Sequence, residues 1–330
     1  MISGVATAAI IGCAGYSGQE TLDRVLAHPE LEVVALGSDS LAGEPAAALD
    51  LRLNGHLPAF VPNDEALAAG ADVVFLCLSH ERAAAVEPPP GAVVVDLSGA
   101  HRLADAELYP AWYGFEHPRP ETLAAWSYAI PELFPAEGPL VANPGCYATA
   151  ALLALAPLVD VIEPASVVVD AKSGVSGAGR ELKPSSHASF VLENLAPYKV
   201  GAHQHAPEIG AALGFPICFV PHLLPVRRGL LATCYAQATT DGLRARLEDA
   251  YASSPVVRVL PEGVVPELAR VQHTDAAEVA LFEDRSTGRA IVVCAIDNLG
   301  KGAAGQAVQN ANMALGLEQA HGLRLNGVLV

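Results

Sequence analysis

The stretch TAAIIGCAGYSGQETLDRVL, residues 7–26, decides how the first part of this chain folds. Thr7–Ile11 is a short apolar run that predicts a buried strand, and Gln19–Leu26 has the periodicity of a helix. Glycines at positions 12, 15 and 18 separate the two in the pattern G-x-x-G-x-x-G. Such glycines permit a tight turn and let the main chain approach a pyrophosphate at the helix N-terminus. The segment therefore predicts a dinucleotide-binding turn; a turn of the same shape without a ligand is the alternative.

Further apolar runs extend this segment into a parallel sheet. Leu31–Leu36, Val73–Leu78 and Val93–Asp96 are continuous hydrophobic segments, which are typical of parallel strands covered on both faces. Strands that alternate with helices indicate a Rossmann-like α/β nucleotide-binding domain. We expect this domain to span residues 1–145 and to be joined by a C-terminal helix, residues 303–330.

The character of the sequence changes in the second half. Strand candidates there are separated by long polar loops that contain Pro and Gly: Val167–Ala171, Ile217–Val220, Leu230–Ala236 and Ala290–Ala295. This pattern predicts an α+β domain with a mixed or antiparallel sheet over residues 146–302.

Composition and charge limit the classes of function. Of the 330 residues, 52% are hydrophobic, which is enough for two domains with separate cores. The 19 Lys and Arg residues against 36 Asp and Glu residues give a net charge of −17, which disfavours nucleic acids and anionic membranes as partners. The sequence has no apolar run of membrane-spanning length, and Met1–Gly4 lacks the basic start of a signal peptide. We therefore expect a soluble, cytoplasmic protein.

One cysteine stands apart from the other five. The six lack a C-x-x-C spacing, so neither a disulfide framework nor a metal site is indicated. In Asn143-Pro144-Gly145-Cys146-Tyr147, a Pro-Gly turn delivers Cys146 to an apolar segment, Ala150–Val159, that predicts a helix. The positive end of a helix dipole and its unpaired N–H groups stabilise a thiolate. Cys146 is therefore the candidate nucleophile, and a buried, inert cysteine is the alternative.

Two histidines supply a candidate base. If His203-Gln204-His205 is extended, both imidazoles face the same side, so that His205 can pair with a thiolate and Glu208 can orient its ring. A metal site is one alternative, but the neighbouring sequence offers no evident third ligand. A structural pair of histidines is the other.

Two further loops are candidates for cofactor or substrate binding. Lys172–Arg180 is a second glycine-rich loop after a strand, and it carries a cation at each end. It is predicted to wrap the nicotinamide end of a dinucleotide or to hold a substrate anion, with a flexible connector as the alternative. In the turn Asp297–Gly302, Asn298 is a candidate donor to the nicotinamide amide.

The end of the second strand, Gly37-Ser38-Asp39-Ser40, bears on the choice between NAD and NADP. An acidic residue there accepts a hydrogen bond from a ribose 2′-hydroxyl, whereas hydroxyls and arginines suit a 2′-phosphate. Ser38 and Ser40 are compatible with phosphate and Asp39 opposes it, so the residues themselves leave both cofactors open.

Taken together, these segments resemble the N-acetyl-gamma-glutamyl-phosphate reductase family, which is related to aspartate-semialdehyde dehydrogenases. The resemblance runs from Gly12 to about Gly316, and its most specific motifs are Val141–Pro157, Lys172–Arg180, His203–Ile209, His222–Gly229 and Asp297–Asn310. It implies an NADPH-dependent oxidoreductase of arginine biosynthesis, with a second domain for catalysis and dimerisation. A homodimer or homotetramer that acts on a small acyl phosphate is the expectation.

The resemblance also implies individual roles. Cys146 would attack the acyl phosphate and form a thioester, which NADPH reduces to a semialdehyde, while His205 would hold the thiolate and move protons. Main-chain N–H groups at the Cys146 turn would stabilise the oxyanion. The expected substrate contacts are Ser98, Arg102, Asn143, Lys172 and Arg180. The expected NADP(H) contacts are Gly12, Ala14, Gly15, Tyr16, Ser17, Gly18, Ser38, Ser176, Gly177 and Asn298.

Two motifs depart from the family pattern. Where the family usually has Asp-Leu-Ser-Ala-Asp-Phe-Arg, residues 96–102 read Asp-Leu-Ser-Gly-Ala-His-Arg, which keeps Ser98 and Arg102 but loses an acid and an aromatic. Ser38-Asp39 replaces a common Ser-Arg, so we expect a smaller margin for NADPH over NADH.

Two other functions compete with this interpretation. A related reductase of lysine biosynthesis acts on aminoadipyl phosphate attached to an acidic carrier protein, which a basic patch formed by Arg180, Lys183, Arg227 and Arg228 would have to attract. A nucleotide-binding subunit without catalytic activity is the second alternative, and the presence of both Cys146 and His205 speaks against it.

Overall fold

The computed structural model describes residues 4–53, 55–181, 184 and 187–327, which form two compact units. Within these residues, the first unit comprises 4–144 and 303–323, and the second comprises 145–302 and 324–327. Lys183 lies outside the described residues.

The strands are, in chain order, β1 (Ala6–Ile11), β2 (Leu31–Gly37), β3 (Phe60–Val61), β4 (Val73–Leu76), β5 (Val93–Asp96), β6 (Ser127–Tyr128), β7 (Leu140–Ala142), β8 (Val168–Gly174), β9 (Ala196–Pro197), β10 (Cys218–Leu224), β11 (Leu230–Ala236), β12 (Val257–Val259), β13 (Ala277–Glu283) and β14 (Ala290–Ile296). The helices are α1 (Tyr16–Ala27), α2 (Asn63–Leu67), α3 (His80–Ala84), α4 (Tyr109–Trp112), α5 (Cys146–Leu155), α6 (Ala188–Val191), α7 (His205–Leu213), α8 (Leu243–Tyr251), α9 (Leu268–Val271) and α10 (Gly305–Leu315).

The first unit is built on a parallel sheet with strand order β3-β2-β1-β4-β5-β7-β6. Its central strands are buried on both faces: Ala8, Ala9 and Ile10 of β1 have no exposed surface. Helix α10 packs on α1 and β5 and so covers one face of this sheet. All the predicted strands of this part are present, and the loop after each parallel strand emerges at one common edge.

The second unit has a mixed sheet with strand order β12-β13-β14-β11-β8-β10-β9. Strands β8 and β10 pair in parallel, whereas β8, β11, β14 and β13 pair antiparallel in that succession. Helix α5 packs on β11 and β14, and every residue from Tyr147 to Leu155 is buried. A helix that is apolar on all sides belongs in a core. The predicted fold class, a Rossmann-like α/β domain with a second α+β domain, is confirmed.

The C-terminal segment differs from the helix expected over residues 303–330. Helix α10 ends at Leu315 because Gly316 adopts a left-handed conformation with φ = 75°. Residues 324–327 belong to the second unit. There the main-chain N–H of Asp275 donates to the carbonyl of Arg324, and the main-chain N–H of Arg324 donates to the Asp275 carboxylate. Within the described residues, the helices all fall short of the length and continuous hydrophobicity that a bilayer-spanning segment needs.

Candidate active site

The glycine turn after β1 is fixed by contacts that leave no room for side chains. Gly12 has φ = 78°, in the left-handed region, and a Cβ there would lie 2.4 Å from the carbonyl oxygen of Cys77. A Cβ at Gly18 would lie 2.6 Å from the Cα of Cys13. Both glycines are therefore required because the start of α1 and the end of β4 pack directly on the turn.

The N-terminus of α1 has the chemistry of an anion site. Its N-cap is Gly15, which has no side chain to cap the first turn, and none of residues 16–19 is acidic. Main-chain N–H groups and the helix dipole at this end favour negative charge. The Gln19 side chain donates to the Ala14 carbonyl (2.9 Å) and holds the loop. The predicted contacts Ala14, Gly15, Tyr16 and Ser17 thus surround a helix start that fits the pyrophosphate of a dinucleotide.

The end of β2 carries a charged pair that the sequence analysis missed. Asp39 accepts a hydrogen bond from Arg82 Nη2 at 2.5 Å and another from the main-chain N–H of Asn63 at 2.9 Å. Both hydrogen bonds hold the pKa of Asp39 below its ordinary value, and the bond from Asn63 contributes most. The hydroxyls of Ser38 and Ser40 lie 3.3 Å apart beside it. The order of parallel strands was the available signal, because Arg82 follows β4 and Asp39 follows β2 at the same edge.

The loop after β5 uses its polar groups internally. The Ser98 hydroxyl donates to the Asp96 carboxylate (2.9 Å) and accepts from the Ala100 N–H (3.0 Å). The Arg102 guanidinium donates to the main-chain carbonyls of Asn143 (2.8 Å) and Leu97 (2.9 Å). Both predicted substrate residues therefore also stabilise the loop in which they lie.

The departures from the family pattern in this loop have structural counterparts. The His101 ring stacks on Trp126, with ring centroids 3.7 Å apart, and its Nδ1 lies 2.7 Å from the buried Asp96 carboxylate. Burial alone would raise the pKa of Asp96, but the hydrogen bonds from His101 and Ser98 outweigh it and lower that pKa. A Cβ at position 99 would lie 2.3 Å from Tyr113, which explains the glycine.

Asn143, one of the expected substrate contacts, is fully buried in the first unit. Its side-chain amide donates to the Ala303 carbonyl (3.3 Å), and its side-chain oxygen accepts from Asn310 (3.0 Å). These contacts fix the segment that leads to the Pro-Gly turn.

Cys146 is the first residue of helix α5, as predicted, and Gly145 is its N-cap. The main-chain N–H of Gly145 donates to Glu208 Oε1 at 2.8 Å, inside the second unit. A Cβ at Gly302 would lie 2.8 Å from the Cβ of Cys146, so the chain passes close beside the cysteine. The Cys146 thiol therefore lies at a helix N-terminus, and the Glu208 carboxylate holds the residue directly before it.

His203 and His205 do not lie on an extended segment, which was the condition for both imidazoles to face the same side. Gln204 is helical and His205 begins α7, so the two rings meet at a turn, 4.7 Å apart. The main-chain N–H of His205 donates to His203 Nδ1 (3.1 Å). Burial, then the neighbouring His205 and Lys199, lower the pKa of His203 to about 2. His203 is therefore a neutral acceptor at the helix start.

The first turn of α7 also positions one basic side chain, His205, and one acidic side chain, Glu208. His205 Nε2 lies 3.8 Å from Glu208 Oε2, an i,i+3 pair on one helix face. The Tyr147 ring, next in sequence to the cysteine, lies edge-on to His205 with centroids 5.8 Å apart, because α5 packs on α7. Glu208 thus touches the Cys146 turn with one oxygen and faces the imidazole with the other.

Tyrosines complete this side of the second unit. The Tyr147 hydroxyl donates to the carbonyl of His222 (2.9 Å), and the Tyr198 hydroxyl donates to that of Tyr147 (3.2 Å). Burial raises the pKa of Tyr198 to about 12 and that of Tyr147 further still. Both phenols are therefore protonated at neutral pH.

The second glycine-rich loop is shorter than predicted. Lys172 belongs to strand β8, where its ammonium group lies 2.9 Å from Asp170, and the turn itself spans Val175–Ala178. Here the predicted nicotinamide residues meet: the Asn298 amide donates to the Ser176 hydroxyl (2.9 Å), and a Cβ at Gly177 would lie 3.8 Å from that amide nitrogen. Arg180 follows the turn and is exposed.

Two arginines of the basic patch considered for a carrier protein, both within the described residues, bond other side chains. Arg228 is only 6% exposed, and its Nε donates to the buried Asp297 carboxylate at 2.6 Å. Arg227 Nη2 lies 3.0 Å from His273 Nε2. The two arginines therefore bond different partners, and Arg228 is not available at the surface.

Two family models match most of the chain. Residues 7–138 match the model described as semialdehyde dehydrogenase, NAD binding domain, and residues 146–298 match semialdehyde dehydrogenase, dimerisation domain. N-acetyl-gamma-glutamyl-phosphate reductases of Acidothermus cellulolyticus and Salinispora arenicola are 43% and 45% identical to it. These alignments cover 98% and 97% of this chain and 99% and 98% of the relatives.

Solved structures share the fold at lower identity. Aspartate semialdehyde dehydrogenase II from Vibrio cholerae has a TM-score of 0.73 at 17% identity, over 95% of this chain and 99% of that one. Aspartate semialdehyde dehydrogenase from Candida albicans has a TM-score of 0.62 at 16% identity, over 94% and 98%.

Proposed function

The chain belongs to the N-acetyl-gamma-glutamyl-phosphate reductase family, and we propose that it reduces N-acetyl-gamma-glutamyl phosphate to N-acetylglutamate semialdehyde and phosphate, with NADPH as the reductant. The resemblance predicted from the sequence motifs is thereby confirmed. Neither the carrier-protein reductase nor the non-catalytic subunit is favoured by the relatives, which are named as N-acetyl-gamma-glutamyl-phosphate reductases.

The observation that carries the proposal is the environment of Cys146. Cys146 is the first residue of a ten-residue helix, and the main-chain N–H of Gly145 before it donates to Glu208. The other carboxylate oxygen of Glu208 faces His205. A thiolate formed there attacks the acyl carbon, and the C–O bond to phosphate breaks as the C–S bond of a thioester forms. Inorganic phosphate leaves with the electron pair of the broken C–O bond.

The second half of the reaction returns the sulfur to its starting state. When bound, the reduced nicotinamide supplies the hydride that converts the thioester into a thiohemiacetal oxyanion. Main-chain N–H groups at the start of α5 stabilise that oxyanion. Its collapse breaks the C–S bond, releases the aldehyde and regenerates the Cys146 thiolate, which the protonated imidazole of His205 stabilises. Glu208 keeps that imidazole oriented.

A nicotinamide cofactor follows from the NAD-binding family model, and NADPH is our finer proposal. The glycine turn and the uncapped start of α1 would hold its pyrophosphate, and Ser38 would lie at its adenosine ribose. Ser176, Gly177 and Asn298, which meet in the second unit, would contact the nicotinamide. These are the cofactor contacts that we predicted from the sequence.

The substrate phosphate needs a local cation, because the net charge of −17 repels anions. Arg102 is our first candidate, helped by Ser98, since its guanidinium is permanently charged and has five N–H donors, not all of which are needed for the carbonyls of Asn143 and Leu97. Lys172 and Arg180 are the second choice. Asn143 would hold the Pro-Gly turn near the reacting carbonyl through its buried amide contacts.

Assembly and location are finer proposals as well. Helix α5 packs on one face of the second sheet. The opposite face is half exposed at three residues, Asp170 and Lys172 of β8 and Leu231 of β11. Together with the dimerisation family model, this supports a homodimer or homotetramer. Light scattering should give two or four times the chain mass of 34.1 kDa. A cytoplasmic location stays a prediction.

A substrate panel tests the proposed function. The oxidation of NADPH at 340 nm is followed with N-acetylglutamyl, aminoadipyl and aspartyl phosphates, and in reverse with the semialdehydes, NADP and phosphate. We expect the N-acetylglutamyl compound to give the highest kcat/KM. A preference for aspartyl phosphate or for carrier-bound aminoadipyl phosphate would refute the proposal.

A further inference from the structure

We propose that Arg82, held in place by Asp39, is the residue that recognises the 2′-phosphate of the nucleotide. The inference rests on the proposed function only in assuming that a nicotinamide dinucleotide binds the glycine turn. It assigns the cation that the sequence lacks at position 39.

The first argument is the position of Arg82 in the sheet. Strands β2, β1 and β4 are parallel neighbours, so the residues that follow them emerge at one edge. The glycine turn follows β1, Asp39 follows β2, and Arg82 lies on α3, directly after β4. In this topology the residues after the second strand lie at the adenosine ribose.

The second argument is a chain of hydrogen bonds that ties Arg82 to the glycine turn. The Gly12 N–H donates to Asn63 Oδ1 (2.9 Å), and the Asn63 N–H donates to Asp39 Oδ1 (2.9 Å). Arg82 Nη2 then donates to the other oxygen of Asp39 at 2.5 Å. Asn63 is only 4% exposed, so this link is rigid. The guanidinium is thereby held at a defined place relative to the turn.

The third argument is charge. A lone carboxylate at position 39 would repel a dianionic 2′-phosphate, and the guanidinium offsets that charge. The Arg82 side chain is 54% exposed, and a guanidinium has five N–H donors, enough to bind a second anion beside Asp39. Ser38 and Ser40 flank Asp39 in sequence, and their hydroxyls lie 3.3 Å apart. In the competing role, Asp39 accepts from a 2′-hydroxyl and Arg82 is only its counter-ion.

Nucleotide fragments separate the two roles without any turnover. Binding of 2′,5′-ADP and of 5′-AMP to the full chain is measured by calorimetry for the native protein, Arg82→Ala and Asp39→Asn. Arg82→Ala should weaken 2′,5′-ADP binding by about 10- to 100-fold, the scale of one charge-assisted hydrogen bond, and change 5′-AMP binding less than about twofold. Asp39→Asn keeps an acceptor for Asn63 but removes a charge that both holds Arg82 and repels the phosphate, so it should change 2′,5′-ADP binding less than Arg82→Ala does.

Arg52→Ala is the matched control. Arg52 is also an exposed arginine of the first unit paired with an aspartate, but it lies near Leu31–Val33, at the opposite end of β2. It should change neither affinity. Equal weakening of both nucleotides by Arg82→Ala, or native binding of 2′,5′-ADP no tighter than that of 5′-AMP, would overturn the proposal. Because no acyl phosphate is present, failure of the proposed reductase activity would be seen separately, in the substrate panel.

Discussion

The carboxylate of Glu208 binds the main-chain N–H of Gly145, the residue directly before Cys146, at 2.8 Å. Its other oxygen lies 3.8 Å from His205 Nε2. One side chain therefore connects the turn before the candidate nucleophile with the candidate base, and we propose that Glu208 is a positioning residue.

The substitution Glu208→Gln separates its two contacts. Glutamine still accepts from Gly145 but carries no charge opposite the imidazole, so we expect kcat to fall roughly 10- to 100-fold with little loss of stability. The limb of the pH–rate profile that reports the imidazole should move to lower pH, because protonation loses a neighbouring negative charge. A lower kcat with an unmoved profile would argue against positioning through charge.

Cys146→Ser should abolish turnover while cofactor binding survives, because an alkoxide is far harder to form than a thiolate. Iodoacetamide at neutral pH should inactivate the enzyme through the same residue. Cys218→Ser is the control, since Cys218 is exposed and its loss should leave activity unchanged. Burial raises the pKa of Cys234 to about 12, so that thiol should not react. Undiminished turnover in Cys146→Ser would end the thioester mechanism.

His205→Ala should lower the rate by roughly 10²–10⁴-fold, the range expected when a general acid–base is removed. Circular dichroism and thermal unfolding should remain close to native. The observation of normal activity per folded molecule, together with a lower melting temperature, would instead assign His205 a structural role at the start of α7.

Arg102→Ala should raise the KM for phosphate in the reverse reaction far more than it weakens cofactor binding, because a dianion loses its clamp. Since Arg102 also holds the carbonyls of Asn143 and Leu97, we expect a loss of about 1–3 kcal/mol in the free energy of unfolding. Lysine at this position should restore part of the phosphate affinity. Intact phosphate affinity would transfer the role to Lys172 or Arg180.

His203 should make the protein less stable in acid. Its pKa is about 2 in the folded chain, against about 6.5 in an unfolded one. Between these values the unfolded state binds a proton that the folded state does not, so the free energy of unfolding decreases as pH falls, by at most about 1.4 kcal/mol per pH unit.

His203→Gln should therefore flatten the dependence of unfolding free energy on pH between pH 6 and 4, measured by urea titration. The slope should not vanish, because burial also lowers the pKa values of His28 and His117. His56→Gln, at an exposed position, should retain the native slope. An identical slope in His203→Gln would contradict a buried, neutral His203.

Some parts of the site were predictable because they depend on neighbours in sequence. The strand, turn and helix around Gly12–Gly18 and the place of Cys146 at a helix start follow from periodicity and turn residues a few positions apart. The turn at His203–His205 was not predicted, since three residues carry too little pattern to reveal that α7 begins at His205. Lys172 was assigned to a loop, but β8 continues through it because β10 and β11 pair along its length.

The sequence by itself determined the strand, turn and helix around Gly12–Gly18, the second α+β domain and the place of Cys146 at a helix start, since each depends on local spacing. Only the tertiary structure decided what holds them. Asp39 meets Arg82 across 43 residues, and Gly145 meets Glu208 across 63, because strand pairing and the packing of α5 on α7 bring these segments together. No local pattern encodes such pairs, since each forms only after its unit has folded and the intervening loop has closed.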